Sequence, residues 1–230
     1  MHNTTERFSI SALLAISGLL LVPLAVPSSA VEAENTTAEI EVPLPLETFT
    51  VQADDVGLAR FTGGDLGGEP GLPGLPSIVF RVLLPPNADL RSAQAQLEKT
   101  EIEDTTGKWD VPPYPPAAHV GGQPVWPKGV EIQEGRNVQA YSTNAFQPPS
   151  FLGLVKGHPV REWKVLLVRI NPFRHNPVTQ QLQRLRAATL VVSFKTVPAG
   201  AQAPSVIPAH TRQRMRESII NFDAAADQYK

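Results

Sequence analysis

The sequence predicts an all-β protein, an antiparallel β-sandwich with proline-rich loops and a short C-terminal helix. Three observations lead there. The first is Ser77-Ile78-Val79-Phe80-Arg81-Val82-Leu83-Leu84, an apolar, β-branched run whose only charged side chain is Arg81. Gly71-Leu72-Pro73-Gly74-Leu75-Pro76 leads into it and Pro85-Pro86 stops it. Proline has no N–H to give a sheet ladder, so prolines mark strand ends and edges. The run between them reads as a central strand buried on both faces. The second is that 23 of the 230 residues are proline, about twice the usual share of roughly 5%. Long helices have little room. The third is period-two alternation within Leu90–Asp104, with Ala93, Ala95 and Leu97 on one face and Gln94, Gln96 and Glu98 on the other. That is the pattern of a half-exposed antiparallel strand; helix propensity over Ser92–Thr100 is the competing reading.

Composition narrows the function. Hydrophobic residues make up 42% of the chain, enough for a packed core. Charged residues are 18% and the net charge is −2, without a basic block. Electrostatic capture of nucleic acid needs clustered Lys and Arg, so that class is excluded. With no cysteine there is no disulfide, thiolate metal site, cysteine nucleophile or lipid-anchor cysteine in this chain.

Residues 1–30 read as a secretory signal: Arg7 in the n-region, an apolar stretch from Ser9 to Val26, then Pro27-Ser28-Ser29-Ala30 with small residues suited to a cut after Ala30. A second cut after Ala33 and an uncleaved anchor are the alternatives. Cleavage leaves a mature chain with no stable membrane insertion, secreted to the periplasm or beyond. Residues 31–46 are expected to be flexible, with Asn35-Thr36-Thr37 matching a glycosylation acceptor. Residues 47–195 form the sandwich. A hairpin spans 47–61 around Asp54-Asp55, and Gly68–Pro76 reads as an extended polyproline-type segment. Residues 111–127 form a proline-dense strap. A hairpin over 128–142 places Arg136 near its tip. Strands follow at Phe151–Val155, Val160–Ile170 and Ala188–Phe194. Trp163, Val165, Leu167 and Arg169 share one face of the second. Residues 196–207 are a linker. Within 208–230, Met215, Ile219, Phe222 and Ala226 make one helical stripe that needs an apolar partner.

Enzyme signatures are missing. No serine elbow, His-Glu-x-x-His, Walker or Rossmann pattern occurs, and His2, His119, His158, His175 and His210 lie far apart. Asp54, Asp55 and Asp65 lack calcium-loop spacing and read as turn residues. The chain is expected to be non-catalytic and to need no cofactor or metal.

The order of several motifs resembles the propeptide domain of gingipain-type cysteine peptidases. They are Gly71–Pro76; Val82-Leu83-Leu84-Pro85-Pro86-Asn87-Ala88; the proline cluster around Tyr114; Tyr141; Phe146-Gln147-Pro148-Pro149; and Ile170-Asn171-Pro172-Phe173-Arg174-His175-Asn176-Pro177. The last is similar to the family's Pro-x-x-Tyr-Asn-Pro turn, with His175 in place of Tyr. Leu190-Val191-Val192-Ser193-Phe194 resembles the closing strand, and Glu217–Asp223 the segment leading toward the peptidase. The resemblance spans roughly residues 65–225. It implies a secreted β-sandwich pro-domain that aids folding of a cysteine peptidase and holds it latent with a loop across the cleft. No His- and Cys-bearing catalytic domain is expected within the chain, which reads either as a truncated or split gene product or as a pro-domain standing alone. The peptidase partner is in cis in relatives, and in trans here if the pro-domain stands alone. Arg136 is the first candidate for a cation entering the peptidase pocket and Lys128 the second. A different class remains open: an adhesion or carbohydrate-binding module with Tyr114, Trp126 and Trp163 as aromatic platforms.

Overall fold

The computed structural model describes residues 36–197 and 208–229. The elements run β1 (Thr37–Pro43), β2 (Thr50–Ala53), β3 (Ala59–Thr62), β4 (Asp65–Gly67), β5 (Leu75–Leu84), β6 (Gln94–Asp104), β7 (Ala118–Val120), β8 (Gln123–Val125), β9 (Ile132–Gln133) and β10 (Arg136–Asn137). Then come α1 (Val138–Ser142), β11 (Leu152–Val160), β12 (Trp163–Ile170), β13 (Phe173–Asn176), β14 (Gln181–Lys195), α2 (Ala209–Ser218), α3 (Phe222–Ala225) and a 3-10 turn (Ala226–Tyr229). The all-β class stands, and all pairing between these strands is antiparallel.

Two four-stranded sheets form the sandwich. In one, the long β14 runs down the middle, with β6 along one edge and β13 and β1 end to end along the other. The second sheet has the order β11-β12-β5-β4. Alternation decides which side chains meet between them. Ile40 and Val42 of β1 oppose Val192 and Leu190 of β14 and point inward, while Glu39 and Glu41 stay exposed. From the second sheet Phe80, Val82, Leu84, Leu166, Val168 and Ile170 complete the core. Segment 31–46 was expected to be flexible; its part 37–43 is instead a core strand. The alternation of Ala38, Ile40 and Val42 with Glu39 and Glu41 is the signal that reading missed.

The opening strand is confirmed in an interior position of its sheet, but it is buried on both faces only toward its C-terminal end. Leu83 and Leu84 are fully buried, whereas Val79 is exposed on the outer face. Its lead-in is not polyproline-like. Leu72 N–H donates to Glu69 O at 3.0 Å, closing a turn over Pro70-Gly71, with Gly71 at φ +89°. Proline then glycine at the two central positions is the type II pattern. A Cβ on Gly71 would lie 2.9 Å from Ile132 Cδ1, so both the φ and the close approach require glycine there.

Other boundaries moved. Val160 closes β11 and Arg161-Glu162 form the turn into β12. The closing strand expected at Ala188–Phe194 begins earlier, at Gln181, as the single long β14, whose register with β6 shifts on either side of Ala187. The 128–142 hairpin shrinks to β9–β10 and runs into α1, whose N-terminal Ala140 N–H is capped by Asn137 Oδ1 at 3.0 Å. At the C-terminal end, the predicted stripe is divided between α2 and α3 by a break at Ile219–Asn221, extended at Ile219 and turning at Ile220-Asn221. Its partner is the sandwich itself. Ile219, Phe222 and Ala226 form a second core with Leu83, Trp163 and Val165 on the outer face of β5–β12, and Met215 packs against it. The shared face predicted for Trp163, Val165 and Leu167 is thus the floor of this second core.

Candidate functional site

Residues 105–149 lie between β6 and β11 and carry most of the irregular structure. Their base is Trp109–Tyr114, which is bonded into the rest of the molecule through its backbone. Ala59 N–H donates to Asp110 O at 2.9 Å, Gly74 N–H to Pro112 O at 2.8 Å, and Tyr114 N–H to Leu72 O at 2.7 Å. Gly71 N–H returns a bond to Tyr114 O at 2.9 Å. Prolines cannot donate, so the carbonyls of this strap and the N–H groups of the glycine lead-in are natural partners.

A side-chain network extends this base. Arg136 Nη2 reaches both carboxylate oxygens of Asp110, at 3.0 and 3.1 Å. Its guanidinium lies over the Tyr141 ring, 4.9 Å from the centroid. Tyr141 Oη donates to Val111 O at 2.9 Å, and burial pushes its phenol well above the ordinary range. Gln147 Nε2 donates to Ala140 O at 2.8 Å, fixing α1 beside the strap.

His175 sits beneath this base and is only 2% exposed. Its Nε2 is 2.9 Å from Trp109 O. A carbonyl only accepts, so Nε2 carries the proton, and the buried Nδ1 is left without a partner. Burial holds the imidazole below its ordinary range, and the bond to Trp109 O partly opposes this. His175 therefore acts as a neutral anchor for the strap.

Beyond the strap the chain projects. Every residue from Ala117 to Val125 is exposed, Val120 by 71%. β7 and β8 are joined by Gly121-Gly122, at φ +59° and +79°. Two positive φ values in a two-residue loop are the type I′ hairpin pattern, for which Gly-Gly is suited. A Cβ on either glycine would meet nothing within 4 Å. The strap reading of 111–127 thus describes only its first half. The Gly-Gly pair between Ala118–Val120 and Gln123–Val125 is the signal that would have found the hairpin.

Lys128 follows this hairpin and is exposed. Arg136 lies just after the Glu134-Gly135 turn, near the tip of its small hairpin, but its guanidinium folds back onto Asp110. Those two candidate cations therefore differ in kind: one is held in the base and the other is free to be approached. Ala30 lies outside the described residues, as do linker residues 198–207 and Asn35. Of the aromatic candidates, Trp163 is fully buried in the second core. Tyr114 and Trp126 are half-buried, with Gly135 close to Trp126 and Pro113. Asp54 is a turn residue. Its carboxylate accepts from Val56 N–H, Leu58 N–H and Arg60 Nε, and the Leu58 bond is the main cause of its lowered pKa. Among the described residues, no group of three or more His, Cys, Asp and Glu is placed to hold a metal. Among the same residues, no helix is long and apolar enough to cross a membrane.

The fold and this arrangement define a class: a β-sandwich whose accessible features are loops held out from a hydrogen-bonded base. The family model Propeptide_C25 matches residues 46–229, and the chain belongs to that propeptide family. Among solved structures, it resembles the complex of Porphyromonas gingivalis RgpB pro- and mature domains. The TM-score is 0.51 at 17% identity, over 85% of this chain and 96% of that one. A structure described for the zymogenic latency of gingipain K, also from Porphyromonas gingivalis, aligns with TM-score 0.46 at 18% identity. That alignment covers 70% of this chain and 100% of the other. No curated protein matches the sequence.

Proposed function

We propose that this propeptide-family chain is a secreted, non-catalytic pro-domain that binds a gingipain-type cysteine peptidase, assists its folding and keeps it latent. One observation carries the reading: an exposed hairpin, followed by exposed Lys128, projects from a strap pinned by backbone bonds and by the Asp110–Arg136–Tyr141 network. A preorganised loop loses little entropy when it occupies a cleft. Lys128 is the preferred entering cation. Arg136 would first have to leave Asp110 and the Tyr141 ring, so its role is to brace the base. Export with removal of residues 1–30 belongs to the same proposal, and N-terminal sequencing of the exported protein should begin at Val31.

The test is direct. Purified chain is mixed with an activated gingipain-type peptidase, and hydrolysis of substrates with lysine or arginine before the cut is followed. Dose-dependent loss of activity is expected, weakened by Lys128→Ala. Full activity at saturating chain would sink the latency reading. The adhesion or glycan-binding alternative loses one of its three platforms to the second core, as Trp163 has no accessible face.

A further inference from the structure

The outer face of β5–β12 is built like a peptide-binding site, and its occupant is the chain's own C-terminal segment. β4 covers the free edge of β5 only along Leu75–Ser77. Beyond that, Ile220 N–H donates to Arg81 O at 3.0 Å. The Asn221 amide then stands in for a peptide group: its Oδ1 accepts from Leu83 N–H at 2.7 Å and its Nδ2 donates to Leu83 O at 2.9 Å. Tyr229 Oη donates to Leu84 O at 2.5 Å and accepts from Lys164 N–H at 3.0 Å. Between these polar anchors Ile219, Phe222, Ala225 and Ala226 are buried. The Trp163 ring lies 5.5 Å from Phe222 and 4.7 Å from Tyr229. This combines edge hydrogen bonds with apolar pockets, the logic of strand-addition peptide sites.

The neighbouring α2 is built in the opposite way. It has no buried residue and no side-chain cap at its N-terminus. Arg212, Arg214 and Arg216 recur every second residue along it. Only Arg216 is tied to the docked segment, through Asp223 at 2.8 Å and the Phe222 ring. A single short helix with no fully buried residue, touching the second core only through half-buried Met215, opens locally at little cost.

We propose that Ile219–Tyr229 is a non-covalent clasp that stays docked on β5–β12 after a peptidase cleaving behind arginine cuts α2 at Arg212 or Arg214. The cut consumes one water. Cleavage of the Arg214–Met215 amide leaves a carboxylate on Arg214 and an ammonium on Met215. Covalent continuity is lost there while every contact of the clasp with β5 and Trp163 remains. The clasp therefore keeps hold of any chain joined beyond it, independently of whether the β7–β8 hairpin enters a cleft.

The experiment uses the full chain, treated under native conditions with an arginine-specific endopeptidase and followed by mass spectrometry and size exclusion. The expected result is a first cut after Arg212 or Arg214, with both fragments co-eluting until denaturant is added. A C-terminal fragment that elutes alone overturns the proposal, as does first cutting within the sandwich while α2 stays whole. In Asn221→Ala, folded before cutting by circular dichroism, the cut fragment should leave about tenfold faster, because both edge bonds are gone. If that variant does not fold, Tyr229→Phe serves in its place, and a release rate equal to that of the unaltered protein overturns the assigned anchors.

Discussion

Two short additions to the sandwich show opposite design. The C-terminal clasp places four apolar side chains in a second core and gives its polar atoms to the edge of β5. The β7–β8 hairpin buries none of its residues. Both are small, yet only the clasp contributes to the stability of the fold. The hairpin is held at its root by the strap and is otherwise indifferent to the core. Its composition is therefore not dictated by packing, and its shape is available for a surface outside the chain.

The strongest way to break this contrast is to remove the floor of the clasp. Trp163→Ala should destabilise the protein by about 3–5 kcal/mol, the range for truncating a large buried aromatic. Urea midpoints with unchanged slope would measure it. A loss of under 1 kcal/mol would mean that the second core is not integral to the fold. Asn221→Ala comes next. It leaves Leu83 N–H and C=O without their edge partner, a cost of about 1–3 kcal/mol. The same substitution at exposed Gln123 in the hairpin should be close to neutral.

Much of the clasp was legible in the sequence, and much of the hairpin was not. Met215, Ile219, Phe222 and Ala226 showed their common face through spacing alone, and Trp163, Val165 and Leu167 showed the complementary one. What spacing cannot show is that Asn221 would leave the helix to serve β5, a contact spanning 138 residues. The core strands were legible for the same reason, because burial imposes a period. Where burial is absent, as from Ala117 to Val125, only turn chemistry speaks, and the dense prolines nearby obscured Gly121-Gly122. Arg136 illustrates the remaining gap. Its place beside a tight turn was readable, but its pairing with Asp110 depends on a strap delivered from elsewhere in the chain.

The root of the hairpin offers a pH test of the comparison. His175 is buried neutral, with Trp109 O on its Nε2, and Asp110 and Arg136 are the charged groups that bear on it. Burial holds its folded pKa below the ordinary histidine value of 6.5. As pH falls through 6.5, the unfolded chain takes up a proton that the folded chain resists, so stability falls with acid. His175→Gln should flatten that limb in urea midpoints taken between pH 7.5 and 5. An unchanged slope would show that the strap is not anchored through this imidazole. The clasp has its own limb at the alkaline end. Burial raises the Tyr229 pKa to about 12, so stability falls as pH rises past the ordinary tyrosine value near 10, and Tyr229→Phe removes that loss.

The smallest effect on stability is expected where the largest effect on binding is proposed. Val120→Ser and Lys128→Ala change exposed side chains, so each should shift folding free energy by no more than about 0.5 kcal/mol. If Lys128 enters a desolvated pocket opposite a fixed negative charge, Lys128→Ala should weaken inhibition of a gingipain-type peptidase by about 30-fold or more, the lower end of the ~2–5 kcal/mol for such truncations. Arg136→Ala acts differently. It removes a half-exposed ion pair, at 37% and 38% side-chain exposure, which is worth at most about 1 kcal/mol to the fold. Its effect on inhibition then comes only through loosening of the base. A double substitution distinguishes the roles. If Lys128 is the entering cation and Arg136 the brace, Asp110→Ala should reproduce the Arg136→Ala effect and add nothing to it. If instead Arg136 enters the pocket, Asp110→Ala should free it and tighten inhibition, and Lys128→Ala should leave binding unchanged.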